Sequence, residues 1–87
     1  MYDITSYTRR NARRLGVHVQ PSSIPTKKID VFQGHTKIAS VGAIGYSDYP
    51  HYLLEKGKAY ADERRRLYHL RHQKQTIGER MARQLLW

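Results

Sequence analysis

The middle of the chain carries the pattern of a β-hairpin. The β-branched residues Ile29 and Val31 lie two positions apart, which is the spacing of one face of a strand. Residues 33–36, Gln-Gly-His-Thr, predict a turn, and residues 37–44 predict the returning strand. Gly42 interrupts this pattern, so the segment after it favours either a third short strand or a bend. A small antiparallel sheet is therefore expected.

The N-terminal segment predicts a helix followed by an extended connection. Residues 3–15 form an amphipathic pattern, with Asp3 or Thr5 as the N-cap and Gly16 where a left-handed C-cap belongs. Residues 17–27 contain two prolines among serines, a composition that disfavours a regular element. This part of the chain is therefore expected to be an extended connection to the hairpin, not a regular element.

The C-terminal half predicts three further helical segments. Ser47 or Asp48 can cap a short helix over residues 50–55, and a longer basic helix follows over residues 58–73. Residues 76–79, Thr-Ile-Gly-Glu, have the form of a capping box and open a last helix. The apolar residues expected to face inward from this last helix are Ile77, Met81, Leu85 and Trp87.

Together these predictions describe a small single α+β domain. A β-hairpin or three-stranded antiparallel sheet is expected to be packed by a long basic helix, with flanking N- and C-terminal helices. A chain of 87 residues buries a modest core, and without cysteine it has neither disulfides nor cysteine-based zinc sites. So small a core is compatible with a homodimer. The chain is divided into a basic N-terminal helix (1–16), an extended linker (17–27) and a hairpin-plus-helix core domain (28–87).

The charge of the chain is strongly positive and unevenly distributed. Sixteen lysines and arginines oppose seven acids, for a net charge of +9. Residues 1–28 and 58–87 each hold +5, from six cations and one acid and from eight cations and three acids, whereas residues 29–57 hold −1. Such an excess attracts polyanions, among which nucleic acid is the commonest.

Two basic runs are the best candidates for contacts with phosphate. A guanidinium offers a planar fork of donors that matches phosphate oxygens, and several on one helical face can neutralise several phosphates. The competing interpretation is that each run is a solvated helix face. We predict phosphate-mediated binding with low sequence specificity, to DNA more than RNA, through Arg9, Arg10, Arg13, Arg14, Arg64, Arg65, Arg66, Arg71 and Lys74.

Aromatic and histidine side chains invite two further interpretations. Stacking on bases competes with packing of Tyr60 and Tyr68 against the hairpin, which we favour. The i,i+3 spacing of His69 and His72 could chelate a metal, but the sequence supplies no convincing further ligands, so neither a metal nor a cofactor is expected. Both histidines are instead expected on the basic face, gaining charge below a pH of about 6.5. The tyrosines considered for base stacking are Tyr46, Tyr49, Tyr52, Tyr60 and Tyr68.

Several classes of protein are not expected. No apolar run approaches the roughly 20 residues that span a bilayer, and the N-terminus lacks the apolar stretch of a secretory signal. No nucleophile elbow, Walker loop or zinc-protease motif is present. We therefore expect a protein that is neither secreted nor membrane-spanning and that is not an enzyme.

Several segments resemble a family of small, basic, uncharacterised proteins encoded by large DNA viruses and some phages. The resemblance covers roughly residues 12–87 and is carried by ARRLGV, KKIDVF, GYSDYP, ERRRLYHLRH and the final LLW. The chain departs from the family pattern before its end, where QTIGERMARQL replaces a stretch expected to contain Ser, Pro and Gly. The resemblance implies a viral or phage origin, a hairpin followed by a basic helix, and a location in the virion or inside the infected host cell.

The resemblance leaves two roles open, since the family brings no established activity. One is association with the viral genome. The other is a minor virion protein that docks on capsid subunits through residues 17–25 and an apolar C-terminus, because exposed Trp and Leu are typical interface anchors. Closure of the small core by Trp87 is the alternative to docking. The predicted docking residues are Leu85, Leu86 and Trp87.

Overall fold

The antiparallel sheet and the helices are present in the computed structural model, which describes residues 2–87. The predicted α+β fold is confirmed, with three strands and four helices. Within the described range, no helix combines the length and the apolar character needed to cross a membrane. In chain order the elements are α1 Ser6–Leu15, β1 His18–Pro21, β2 Lys27–Gln33, β3 Thr36–Ala43, α2 Tyr49–Lys56, α3 Lys58–Arg71 and α4 Ile77–Leu85.

The predicted hairpin forms the larger part of the sheet. β2 lies between β1 and β3, and both neighbours run antiparallel to it. Ile29 pairs with Val41, and a register shift follows at Val31. Gly34 in the connecting turn has a φ of 62°, in the left-handed region that glycine adopts without strain. The turn predicted over residues 33–36 is therefore confirmed.

The third strand comes from the segment predicted to be a linker, which corrects that prediction. β1 pairs with β2 so that Val19 lies opposite Val31 and Pro21 lies opposite Ile29. Because β1 is an edge strand, a proline without a backbone N–H is tolerated there. The chain after Gly42 completes β3 and then turns, so it adds no strand of its own. Proline alone was therefore a misleading signal for an unpaired segment.

The core lies between the sheet and helices α1 and α4. α4 packs on β3, and α1 packs on α4 and β1. The long basic helix α3 was expected to cover the sheet, but its main contacts are with α2. The reason is that α3 buries a single residue, Ala61, whereas α4 buries Ala82 and Leu85. The buried apolar cluster consists of Ala12, Val17, Ile29, Val31, Val41, Ala82, Leu85 and Leu86.

The apolar C-terminus belongs to this core and is not an exposed docking segment. Leu85 and Leu86 are 0% and 1% exposed, and Trp87 packs against the same cluster. The Leu86 carbonyl accepts a hydrogen bond from the Tyr49 N–H at 3.0 Å. A Cβ at Gly42 would lie 2.8 Å from the Leu86 side chain, so the glycine that interrupts β3 admits this leucine. The predicted docking role assumed exposed side chains, and Leu85 and Leu86 are instead part of the core.

The helix ends match the capping residues that the sequence indicates. Thr5, and not Asp3, caps α1, and Gly16 ends it in a left-handed conformation with a φ of 74°. The Thr76 hydroxyl accepts a hydrogen bond from the Glu79 N–H and caps α4. α1 thus begins at Ser6, later than predicted, because the backbone of Thr5 is extended.

Asp48 is a fully buried carboxylate that joins three parts of the chain. Its oxygens accept hydrogen bonds from the Lys28 ammonium at 3.0 Å, the Tyr2 hydroxyl and the His51 N–H at 3.3 Å, and the last of these caps α2. Burial by itself raises the pKa of Asp48, but the hydrogen bond from Tyr2, the charge of Lys28 and the His51 ring, 2.7 Å away, together hold that pKa below its usual value. The carboxylate therefore stays charged and fastens β2 to α2.

Asp30, at the centre of β2, organises the sheet in a similar way. Its Oδ1 accepts hydrogen bonds of 2.6 Å from the hydroxyls of Ser22 and Ser40, and its Oδ2 accepts one from the Ser23 N–H at 3.2 Å. Burial raises the pKa of Asp30, but the three hydrogen bonds outweigh it and lower that pKa to about 2. This carboxylate ties β3 and the connection after β1 to the central strand.

The burial of Leu86 predicts a large effect on stability. Leu86→Ala should lower the free energy of unfolding by about 2–5 kcal/mol, because it removes buried methyl groups and leaves a cavity beside Gly42. Urea denaturation of the two proteins measures the difference. Leu54→Ala is the matched control, since Leu54 is 80% exposed and its truncation should change stability little. Equal small effects of both substitutions would place Leu86 outside the core.

The hydrogen bonds to Asp30 predict a specific dependence of stability on pH. A carboxyl group whose pKa is lower in the folded than in the unfolded protein stabilises the fold at pH values above its unfolded pKa. For Asp30 the unfolded pKa is 3.8 and the folded pKa is about 2, so its contribution is lost as the pH falls between these two values. Asp30→Asn should therefore lower the urea midpoint at neutral pH and make its decline in acid shallower. Glu55→Gln, at an exposed carboxyl without an ion pair in residues 2–87, is the control. An unchanged acid decline in Asp30→Asn would contradict this assignment.

Candidate nucleic-acid interface

The first part of the candidate interface is a row of arginines on α1. All four predicted arginines of this helix are exposed, and none forms an ion pair with a carboxylate in residues 2–87. The opposite face of the helix carries the buried residues Thr8, Asn11 and Ala12. The structure therefore brings together, as one uncompensated surface that we term the α1 arginine row, Arg9, Arg10, Arg13 and Arg14.

The α1 arginine row is held in place by contacts with the C-terminal end of the chain. The Thr8 hydroxyl donates a buried hydrogen bond of 2.8 Å to the Leu85 carbonyl. The Tyr7 hydroxyl donates one of 3.2 Å to the Trp87 carbonyl. These bonds satisfy carbonyl groups at the end of α4 and fix the orientation of α1. The arginines thus project from a helix that is docked, not from a free arm.

The central arginines of α3 have partners within the protein. Arg66 donates to both carboxylate oxygens of Glu63, as the i,i+3 spacing predicts. The guanidinium of Arg65 lies 3.9 Å from the centroid of the buried Tyr49 ring and 3.6 Å from Asp62. Asp62 stands four positions before Arg66, a spacing that allows an ion pair on a helix, but it pairs with Lys58 and Arg65 instead. Arg65 is engaged by the Tyr49 ring and by Asp62, and Arg66 is engaged by Glu63. Both are therefore less available to phosphate than the α1 arginine row.

Asp62 explains part of this difference. It accepts hydrogen bonds from the Tyr49 hydroxyl at 2.8 Å and from the Lys58 ammonium at 2.6 Å. The hydrogen bonds from Lys58 and then Tyr49 lower the pKa of Asp62, whereas burial of Tyr49 and its bond to Asp62 raise the pKa of the phenol. The carboxylate is therefore occupied by residues that join α2 to α3, which only the packed structure reveals.

The remaining predicted contacts are Arg64, which directly precedes the paired arginines, Arg71 at the end of α3, and Lys74 after that helix. Arg64 stands over the Tyr52 ring, with its guanidinium carbon 5.8 Å from the ring centroid. Arg71 and Lys74 are exposed, and neither forms an ion pair within residues 2–87. The backbone of Lys74 is held by Glu79, which accepts from its N–H at 3.0 Å. These three cations differ from Arg65 and Arg66 in having no carboxylate partner within residues 2–87, although all five belong to one basic run of sequence.

The tyrosines take different positions from those predicted for them. Tyr60 packs beside Tyr52, with ring centroids 5.4 Å apart, and not against the hairpin. Tyr68 does pack against the core cluster, where its ring is stacked on Trp87 at 4.4 Å. Tyr46 is exposed. The tyrosines therefore form no single stacking platform, although two of them lie near Trp87.

The histidines of α3 do not form a metal site. Within residues 2–87 no group of three or more metal-ligating side chains is assembled. His72 lies 3.2 Å from Glu79 and stacks on Tyr68. Burial, then the charges of Arg65 and Arg83, lower the pKa of His69, so this residue gains charge at a lower pH than predicted.

Four exposed cations that form no ion pair within residues 2–87 were not singled out from the sequence. These are Lys27 at the start of β2, Lys37 in β3, Lys56 at the end of α2 and Arg80 on α4. A sequence signal for Arg80 exists, because no acid stands three or four positions from it. The same test separates Arg64 and Arg71 from the paired arginines Arg65 and Arg66. Spacing to acids is thus a better guide to available charge than the density of a basic run.

Comparison of this chain with protein-family models, with curated proteins and with solved structures finds no match. Any function is therefore inferred from the geometry and charge of the described residues.

The contrast between Arg65 and Arg66 predicts different effects on stability. Arg65→Ala should lower the free energy of unfolding by about 0.5–2 kcal/mol, because it removes a cation–π contact with a buried ring. Arg66→Ala is the matched control from the next position, where an exposed pair contributes little. Thermal unfolding followed by circular dichroism measures both. A larger loss for Arg66→Ala would show that the Tyr49 contact does not stabilise α3.

Proposed function

We propose that this protein binds nucleic acid through its phosphates, with the α1 arginine row as the main contact surface. The observation that carries the proposal is the exposure of four neighbouring arginines without a carboxylate partner in residues 2–87. Arg71 and Lys74 extend the set of available cations. The role is one of binding and not of catalysis.

The dimensions of α1 suit a polyanion. A helix of 10 residues is about 15 Å long, and duplex DNA carries one charge per about 1.7 Å of its axis. Several phosphates therefore fall within reach of one face of the helix. The docked position of α1 reduces the conformational entropy that would be lost when its side chains engage a ligand.

The composition of the exposed face supports low sequence specificity. Base edges are read mainly by side chains that form paired hydrogen bonds, and phosphate contacts carry no sequence information directly. Asn11, the amide side chain of α1, is buried on the opposite face. Arginines that have no neighbouring Asn or Gln side chain to bind base edges are expected to contact the phosphate backbone of the nucleic acid. We place DNA ahead of RNA because the resemblance is to proteins of DNA viruses and phages.

The proposal assigns the protein to the genome of a virus or phage, inside the infected cell or the particle. The alternative role is a minor virion protein that docks on capsid subunits through residues 17–25 and an apolar C-terminus. Leu85 and Leu86 are buried and residues 18–21 are paired in the sheet, so we favour binding to the genome. Association with a particle would instead follow from binding of the packaged genome.

Removal of two α1 arginines should weaken DNA binding in a salt-dependent way. Arg10→Gln combined with Arg14→Gln should lower affinity equally for unrelated duplex sequences and reduce the log–log salt slope by about 0.9 for each phosphate that is no longer neutralised. Fluorescence anisotropy with labelled duplexes across a salt series gives both quantities. Circular dichroism checks that the helix is retained.

The matched control removes the same formal charge from paired positions. Lys58→Gln combined with Arg66→Gln alters two exposed cations that already have carboxylate partners. If overall charge alone governed binding, both double variants would show the same reduction in salt slope. A greater reduction for the Lys58 and Arg66 variant would contradict the assignment of the surface to α1.

A further inference from the structure

A cavity of about 600 Å³ lies between the end of β3, the α2–α3 pair and α4. Small-molecule sites typically have volumes of about 300–1,000 Å³. Its walls include Gly42 from β3, Tyr52 from α2, Arg64 from α3, Ala82 from α4, and Trp87. The space exists because α3 packs against α2 and not against this part of the sheet. We refer to it as the interhelical cavity.

Aromatic rings form part of the cavity wall. The rings of Tyr68 and Trp87 are stacked, with centroids 4.4 Å apart and planes inclined by 10°. His72 continues the stack on Tyr68 at 4.1 Å, and Tyr52 lies 6.1 Å from Trp87 in a tilted arrangement. Because Tyr68 has a ring on each face, a flat ligand group would meet this stack at Trp87 or His72, and stacking of this kind accepts any base.

The charged groups of the wall favour an anion. Lys28 is neutralised by Asp48, and Glu79 lies beside His72. Among the described residues that line the cavity, Glu79 alone has a carboxylate side chain. The lining cations that form no ion pair within residues 2–87 are Lys27, Arg64 and Arg71.

Arg64 supplies a separate indication of a ligand. Its Nε is buried, and among residues 2–87 it has no hydrogen-bond acceptor. A buried donor left unpaired destabilises a protein, more so when the group is charged. Because Arg64 lines the cavity, a rotation of its side chain would bring this nitrogen within reach of an acceptor oxygen of a bound molecule.

We propose that the interhelical cavity binds one nucleoside phosphate, with its base against the aromatic wall and its phosphate beside Arg64 and Arg71. A nucleoside phosphate combines the flat group and the anion that these walls favour. It can come from two sources, a free nucleotide or an unpaired nucleotide of a single strand. The site goes beyond the phosphate surface proposed for α1, because it uses other side chains and contacts the base.

Trp87 provides the measurement, since it is the single tryptophan of the chain and lines the cavity. Its fluorescence is followed while the full chain is titrated with nucleoside monophosphates, ribose phosphate, a single-stranded oligonucleotide and a duplex. Excitation at the red edge of the indole band avoids absorption by the nucleotides. We expect saturable quenching by nucleoside monophosphates or by the single strand, and none by ribose phosphate, which lacks a base.

A pair of variants on α3 tests the contacts. Arg64→Gln should weaken binding of the quenching ligand by about tenfold or more, because it removes a charged hydrogen-bond donor from the cavity. Arg66→Gln is the matched control, since this arginine is engaged by Glu63 and does not line the cavity. Circular dichroism establishes that both variants are folded. Equal weakening by both substitutions would overturn the proposal.

The titrations separate this inference from the function proposed for α1. If monophosphates quench saturably and the single strand does not, the ligand is a free nucleotide. If the single strand binds more tightly than the monophosphates, the ligand is an unpaired nucleotide of a strand. Absence of saturable quenching by both ligands overturns the cavity site, even if duplex binding persists. The variant with Arg10→Gln and Arg14→Gln should retain quenching by monophosphates, because these arginines do not line the cavity. If the unaltered protein shows this quenching but does not bind the duplex, only the proposal for α1 is overturned.

Discussion

A buried carboxylate, Asp48, joins segments that are far apart in the sequence. Tyr2 from the N-terminal end and Lys28 from the central strand both donate to it, and it caps the helix that begins at Tyr49. A buried charge left without such donors would be strongly destabilising. The position of α2, and of α3 packed against it, therefore depends on this one group. The Tyr49 N–H then binds the Leu86 carbonyl, which connects α2 to the end of α4.

This arrangement separates the basic residues into two kinds. Arg65 and Arg66 lie where α2 and α3 supply a ring and carboxylates, so much of their charge is used within the protein. The arginines of α1 lie on a helix whose exposed face contains no acid, so their charge is available to a ligand. Arg64 differs from both, since it faces the space that α3 leaves beside the sheet. Pairing, and not the number of cations in a run, determines which surface can bind a polyanion.

The prediction from sequence was accurate where the signal was local and inaccurate where distant segments compete for the core. The hairpin turn at Gly34, the C-cap at Gly16 and the cap at Thr76 all follow from short patterns. The strand at His18–Pro21 was missed because its partner, β2, is a separate segment whose free edge no local pattern reveals. The burial of Leu86 was missed for the same reason, because an apolar terminus has the same composition whether it closes a core or binds a partner.

The sequence by itself determined the net charge of +9, the α+β class, the hairpin and the helix caps. These features depend on composition or on residues within about four positions of each other, where backbone preference and side-chain spacing act directly. The tertiary structure alone decided which helix covers the sheet, which arginines have partners and where the aromatic cavity forms. Each of these depends on contacts across long separations, such as Lys28 with Asp48 and Thr8 with Leu85, and packing between such segments is a property of the whole fold.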